Sequence, residues 1–195
     1  MNPYEWLRSP WLYNLKGVVL SLGRRSVCGY LAEALGATAD SMVLDVGCGT
    51  GRHAEAVAGR VAGVDANPAY IAYANRVHRG VFFVGDATRL GLADGVFDVV
   101  FCVGLCHHLS DAQVQDAVGE MRRVTKAGGR TWVIDGVYPQ KTNPLGYALF
   151  RLDRGAHTRR LEELEALLGP EGLRLVVANI PGSFPYQRAV FVCDK

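Results

Sequence analysis

The sequence has no long apolar run. Near its start the longest is Val18 to Leu22, in a segment that also carries Asn14, Lys16 and Gly17. A spanning helix needs about 18 or more apolar residues, so no transmembrane segment is expected. The short stretch runs into Arg24-Arg25 without a small-residue cleavage site, so no secretory leader is expected either. Neither sign of charge dominates: 21 basic residues stand against 19 acidic ones, a net +2. That balance gives no reason to expect a nucleic-acid partner. Repeats and low-complexity segments are absent. The five cysteines, at 28, 48, 102, 106 and 193, are odd in number and scattered. They do not form a disulfide framework, and a reducing cytoplasm is expected. With 49% hydrophobic and 21% charged residues, disorder and fibrous architectures are excluded. A chain of 195 residues suits one domain that buries about two-thirds of its unfolded surface.

Glycine is abundant, with 23 residues, and its placement is informative. Residues 1–40 are aromatic and helical. Trp6, Trp11, Leu12, Tyr13 and Leu15 come first, then Val27, Tyr30, Leu31, Ala34 and Leu35 at helical spacing before Gly36. Residues 41–135 alternate apolar strands with helices. Strands are expected at 42–44, 61–64, 81–84, 97–103 and 131–134. Helices are expected at 53–59, at 68–79 behind Pro68, and at 111–126 behind Ser110 as N-cap. Strands apolar on both faces and joined by helices imply a parallel sheet with right-handed crossovers. Residues 136–160 break the rhythm with a basic, aromatic insertion. A helix over 159–168 and two strands, near 173–180 and 187–193, close the chain. Only Pro181 to Pro185 separates those two strands, too short for a parallel crossover, so an antiparallel hairpin is expected.

The run Asp45-Val46-Gly47-Cys48-Gly49-Thr50-Gly51 leaves the first strand. In an open parallel sheet the ligand crevice lies at such strand ends. The glycines do not follow the dinucleotide spacing G-x-G-x-x-G, because Arg52 stands where its third glycine belongs. Asp45 would also repel a pyrophosphate and attract a cation. Asp65 closes the second strand, where it can accept from ribose hydroxyls. Asp86 closes the third, within reach of an adenine amino group. Three carboxylates on successive strand ends suit a cationic adenosine ligand without phosphate.

Together with Leu92 to Val100, His107-His108-Leu109 and Met121 to Gly129, these motifs make the stretch from Val43 to Asp135 resemble a class I S-adenosylmethionine-dependent methyltransferase of the type 11, small-molecule group. The resemblance implies an α/β, Rossmann-like, seven-stranded and mostly parallel sheet, in order 3-2-1-4-5-7-6, with a C-terminal antiparallel hairpin. It implies S-adenosyl-L-methionine as cofactor and S-adenosyl-L-homocysteine as product. By position, Gly47, Cys48, Gly49 and Gly51 would cradle the methionine and ribose portions, with Asp45 near the ammonium. Asp65 and Ala66 would take the ribose, Asp86 and Ala87 the adenine end, and Val103 would lie alongside. As one domain, the chain divides into a helical lid (1–40), a cofactor-binding core (41–135), a substrate-side insertion (136–160), and a final helix with the hairpin (161–195).

Methyl transfer needs alignment first, worth about 7–11 kcal/mol, and a base only where the acceptor carries a proton. His107 and His108, just past the fourth strand, are the candidate bases. The competing reading of this pair is packing and helix capping. Zinc is not expected of Cys102, Cys106, His107 and His108, because residues that straddle a strand end do not converge tetrahedrally. Trp11 and Tyr13 from the lid, with Tyr138, Tyr147 and Arg151 from the insertion, would wall the acceptor pocket. A small apolar or aromatic acceptor is expected, methylated at oxygen or nitrogen rather than carbon. The alternatives are RNA or protein methylation and a non-catalytic partner subunit. The amphipathic stretch Trp6 to Leu22 also reads as a peripheral membrane contact, the weaker reading beside a lid. A monomer or homodimer is expected.

Overall fold

In the computed structural model, residues 21–139, 143–146, 156–181 and 185–195 are described, and seven strands form one sheet. The elements in chain order are α1 (Ser21–Ala34), β1 (Met42–Val46), β2 (Arg60–Asp65), α2 (Pro68–Val77), β3 (Val81–Val84) and β4 (Phe97–Val103). They continue with α3 (Asp111–Val124), β5 (Thr125–Val137), α4 (Leu161–Leu168), β6 (Arg174–Val177) and β7 (Gln187–Asp194). The order is β3-β2-β1-β4-β5-β7-β6. β3, β2, β1, β4 and β5 pair in parallel, whereas β7 pairs antiparallel with both β5 and β6. The mostly parallel sheet and its antiparallel ending are as the sequence implies.

The period-two alternation of the strands explains both faces. Leu44 and Val46 of β1, with Val100 and Cys102 of β4, pack under Val114, Val118 and Met121 of α3 and Leu164 and Leu168 of α4. Val43 of β1, with Val99 and Phe101 of β4, packs under Leu31 of α1 and Ile71 and Ala74 of α2. Central strands buried on both faces account for their continuous apolar runs. In α1 the described side chains Val27 and Leu31 are core, so this part of the 1–40 zone is a layer of the fold.

Several boundaries differ from the expectation. The helix expected over 53–59 is a single 3-10 turn, Ala54–Ala56, because Gly59 takes a φ of +105° and turns the chain into β2. The strand expected at 131–134 runs from Thr125, paired with Phe97, to Val137, paired with Gln187. The last helix starts at Leu161 because Arg159 is bridged to Val137 at the sheet edge. β6 stops at Val177, beside a register shift against β7. Ser110 does cap α3, in a reciprocal capping box with Gln113.

Candidate functional site at the carboxyl ends of the strands

Parallel strands bring the carboxyl ends of β1, β2, β4 and β5 to one edge. Between β1 and α2 the glycine loop folds tightly. Gly47, Gly49 and Gly51 have φ of +73°, +56° and +75°, the left-handed region in which a side chain is strained. A Cβ on Gly47 would meet Leu105 Cδ1 at 3.0 Å, and one on Gly51 would meet Ala74 Cβ at 3.1 Å. The N–H groups of Gly47 and Cys48 both donate to Val64 O, at 2.8 and 3.0 Å, which ties the loop to β2.

Asp65 locks the same loop from the end of β2. Its Oδ2 accepts from Gly49 N and its Oδ1 from Asn67 N, each at 2.8 Å. Burial pushes its pKa up; these two N–H groups oppose the rise and the nearby Asp45 adds to it. Ala66, the next residue, is exposed. Cys48 is buried, and a Cβ on Gly63 would come within 2.9 Å of its sulfur. Burial, then Asp45 and Asp65, push the Cys48 thiol pKa far up, so it is a packing group rather than a nucleophile. Asp86 is exposed and shapes its own turn. Its Oδ1 accepts from Thr88 N and Oγ1 at 2.9 and 2.8 Å, and these bonds lower its pKa. Ala87 packs partly into the core on the α3 side.

Asp45 is different. It is 1% exposed, and among the described residues neither carboxylate oxygen has a hydrogen-bond partner. The buried His53 points Nδ1 toward Asp45 Oδ2 at 3.6 Å, beyond hydrogen-bond length. A bare buried carboxylate is costly unless a cation or donors reach it.

At the neighbouring strand ends, β4 finishes at the buried Val103 and turns through Gly104, φ +68°, into a 3-10 turn, Cys106–His108. His107 Nδ1 lies 2.6 Å from Asp135 Oδ1 on β5. Asp135 is 1% exposed and also accepts from Cys106 N and Gly136 N, each at 2.6 Å. Burial pushes its pKa up, but His107 and the two N–H groups outweigh that and hold it below the usual carboxylate value. A carboxylate only accepts here, so Nδ1 carries the ring proton and Nε2 is the basic nitrogen. His108 is exposed, its ring tilted by 44° against that of His107 with 4.1 Å between the centroids. Leu105 begins the turn and packs on Gly47, so the histidine turn and the glycine loop are adjacent.

Arg159 anchors the turn from the end of the 136–160 insertion. Its guanidinium donates to the carbonyls of Cys106, Leu109 and His157 and to Asp111 Oδ1, all at 2.6–3.0 Å. Although it belongs to the basic stretch 136–160, Arg159 is only 8% exposed. Cys102 and Cys106 hydrogen-bond to one another inside the core. The partly buried Tyr138 donates its N–H to Arg159 O. Trp11, Tyr13, Tyr147 and Arg151 lie outside the described residues. Asp135, Gly104, His53 and Arg159 were not singled out from the sequence as site residues. Asp135 had a signal, an acid closing an apolar strand as Asp45 and Asp65 do. Gly104, His53 and Arg159 had none.

The fold and these strand ends define an α/β protein built to hold a nucleoside-type ligand with a cationic portion. The methyltransferase domain family matches residues 44–133. The demethylmenaquinone methyltransferase of Thermus thermophilus is 30% identical over 208 aligned positions, which cover 92% of this chain and 91% of the relative. That of Beutenbergia cavernae is 37% identical over 132 positions, spanning 63% of this chain and about half, 52%, of the relative. The crystal structure of the YcgJ protein from a Bacillus superimposes with a TM-score of 0.65 at 28% identity, over 78% of this chain and 70% of its own. A Haemonchus contortus phosphoethanolamine N-methyltransferase, solved with S-adenosyl-L-methionine, shares the fold, with a TM-score of 0.72 at 18% identity over 88% of this chain and 52% of its own. The chain belongs to the class I S-adenosylmethionine-dependent methyltransferases. Its residues fit that cofactor, since the bare Asp45 suits an ammonium group and the left-handed glycines leave backbone, not side chain, facing the ligand. Among the described residues no helix is long and apolar enough to cross a membrane.

Proposed function

We infer that the protein transfers the methyl group of S-adenosylmethionine to a small, apolar, hydroxylated aromatic acceptor, with His107 as general base. The observation that carries this reading is the His107–Asp135 contact of 2.6 Å beside the glycine loop. A base held in one tautomer by a buried carboxylate serves an acceptor that must lose a proton. The names of the two demethylmenaquinone methyltransferases support a ring of the quinol class.

The cofactor supplies an electrophilic methyl group on a sulfonium that leaves as a neutral thioether. Gly47, Gly49 and Gly51 let the loop backbone approach its methionine and ribose portions, with Cys48 packed behind. Asp45 faces the ammonium. Asp65, with lone pairs left beyond its two backbone bonds, takes the ribose hydroxyls beside Ala66. Asp86 and Ala87 border the adenine, and Val103 lies alongside. His107 Nε2 would take the acceptor's hydroxyl proton, leaving an oxyanion to receive the methyl group that the bound cofactor would supply. Asp135 keeps Nδ1 protonated and stabilises the imidazolium that forms. Oxygen is the expected acceptor atom, and the same deprotonation also activates the conjugated ring carbons. Tyr138 borders the acceptor, with Trp11, Tyr13, Tyr147 and Arg151 as further candidates for its wall and His108 as a neighbour of the base. The enzyme works as a monomer or homodimer, without a nucleic-acid partner.

The test is transfer of isotope-labelled methyl from S-adenosylmethionine to a panel of quinols and substituted phenols, with the methylated atom read by NMR. Labelled product lost in His107→Ala, with cofactor affinity kept, is the expected result. Label found only in RNA or protein would overturn the proposal.

A further inference from the structure

One buried imidazole lies beside the glycine loop without a part in the proton transfer. His53 is 4% exposed and lies next to the bare carboxylate of Asp45. Arg52 Nε donates to His53 Nε2 at 3.2 Å. A guanidinium has donors only, so the nitrogen facing it is the unprotonated one. The ring proton then sits on Nδ1, and Nδ1 is the atom that faces Asp45 Oδ2 at 3.6 Å. The result is a row of guanidinium, neutral imidazole and carboxylate running into the glycine loop. The row ends at a carboxylate whose two oxygens accept no hydrogen bond among the described residues.

We propose that His53 is a positioning residue for the cofactor, holding Asp45 toward the ligand's ammonium while leaving its negative charge unneutralised. This rests on the glycine loop being the S-adenosylmethionine site. Neutral His53 sets its Nδ1–H dipole against Asp45 Oδ2 at 3.6 Å, a contact longer than a hydrogen bond, and adds no charge. Protonated His53 behaves differently. Nε2–H opposes the Arg52 guanidinium, and the imidazolium neutralises Asp45 and repels a second cation. Cofactor binding and protonation of His53 therefore oppose one another, each disfavouring the other by the same factor.

The surrounding groups do not supply this behaviour. Asp65 at the end of β2 senses Asp45 but is held by the N–H groups of Gly49 and Asn67. The Cys48 thiol is kept protonated by burial. Phe101 of β4 turns its ring edge to His53, at 6.5 Å between centroids, and brings no charge. On the outer side of the turn, Glu55 and His78, the residue that follows α2, engage one another at 3.0 Å. α1 packs against the same turn and carries Cys28, Tyr30 and Glu33 among its described side chains. Burial raises the Tyr30 pKa further and keeps that group neutral.

The experiment is calorimetric titration of the full chain with S-adenosylmethionine and S-adenosylhomocysteine, from about pH 8 to about pH 5.5. The wild type, His53→Gln, His53→Leu and His78→Gln are compared, with thermal melts to confirm folding. Wild-type affinity is expected to fall by about tenfold toward acid, within the usual range of coupling between sites. At about pH 8, His53→Leu binds about tenfold more weakly, whereas His53→Gln, which keeps a donor, stays within about threefold. His53→Gln also loses the acid limb, and His78→Gln keeps it. An acid limb that persists in His53→Gln, or undiminished affinity in a folded His53→Leu, overturns the assignment. Should His53→Leu not fold, the pH profile of His53→Gln decides alone. No binding by wild type at any pH refutes the site reading itself and is recognisable as such.

Discussion

Two carboxylates, one on β1 and one on β5, face the same edge of the sheet and are equally hidden, each 1% exposed. Their surroundings are opposite. Asp135 accepts from an imidazole and two backbone N–H groups. Asp45 accepts from nothing among the described residues. A saturated carboxylate serves its own protein: it fixes the Cys106–His108 turn and the tautomer of His107. A bare one is a buried charge whose partner comes from outside. On the proposed function, equal burial thus conceals two jobs, one of holding the base and one of receiving the ligand.

Removing each carboxylate should separate the two jobs. Asp135→Ala strands two buried N–H groups and the His107 ring, and should cost about 2–5 kcal/mol of stability in urea unfolding. In Asp135→Asn, which keeps the size, turnover should fall by about 10²–10⁴-fold while calorimetry finds cofactor affinity little changed. Arg159→Met, which leaves carbonyls of the histidine turn without their donor, should lose about 1–3 kcal/mol by the same unfolding assay. Asp45→Asn should leave stability within about 1 kcal/mol of wild type, yet weaken S-adenosylmethionine binding by about 10–100-fold. An Asp45 variant that unfolds while binding is spared would erase the distinction.

Acid titration sharpens the comparison with a smaller effect. The Asp135 pKa is lowered from the ordinary 3.8, so its ionised form is favoured by folding. That stability is present above the unfolded value and is lost as pH falls through the folded one. Asp65 is raised by burial, so its ionised form costs stability at neutral pH, and the cost disappears as pH falls through its raised value. Urea midpoints from neutral pH to about pH 3 should therefore show a shallower acid loss in Asp135→Asn than in wild type.

Much of this arrangement was legible along the chain. Apolar runs buried on both faces announced the parallel sheet, and the short 181–185 connection announced its antiparallel end. The glycines at 47, 49 and 51 and the acids at 45 and 65 marked the edge proposed to hold the cofactor, because left-handed turns and strand-end carboxylates are local features. His107 was visible as a candidate, but its partner was not. Asp135 lies 28 residues away and meets it only through the parallel pairing of β4 with β5. Arg159 looked like one of several surface arginines and is 53 residues from the Cys106 carbonyl that it holds.

Periodicity, glycine placement and strand-ending acids are properties of neighbouring residues. They determined the fold class and the family resemblance, and the resemblance in turn implied the strand order, before any contact was known. Which carboxylate is saturated and which is bare depends on donors brought from other strands, over distances along the chain that no local pattern encodes. The tertiary structure alone decided that His107 is held by Asp135, that Arg159 is buried, and that Asp45 faces His53 with its charge still unmatched.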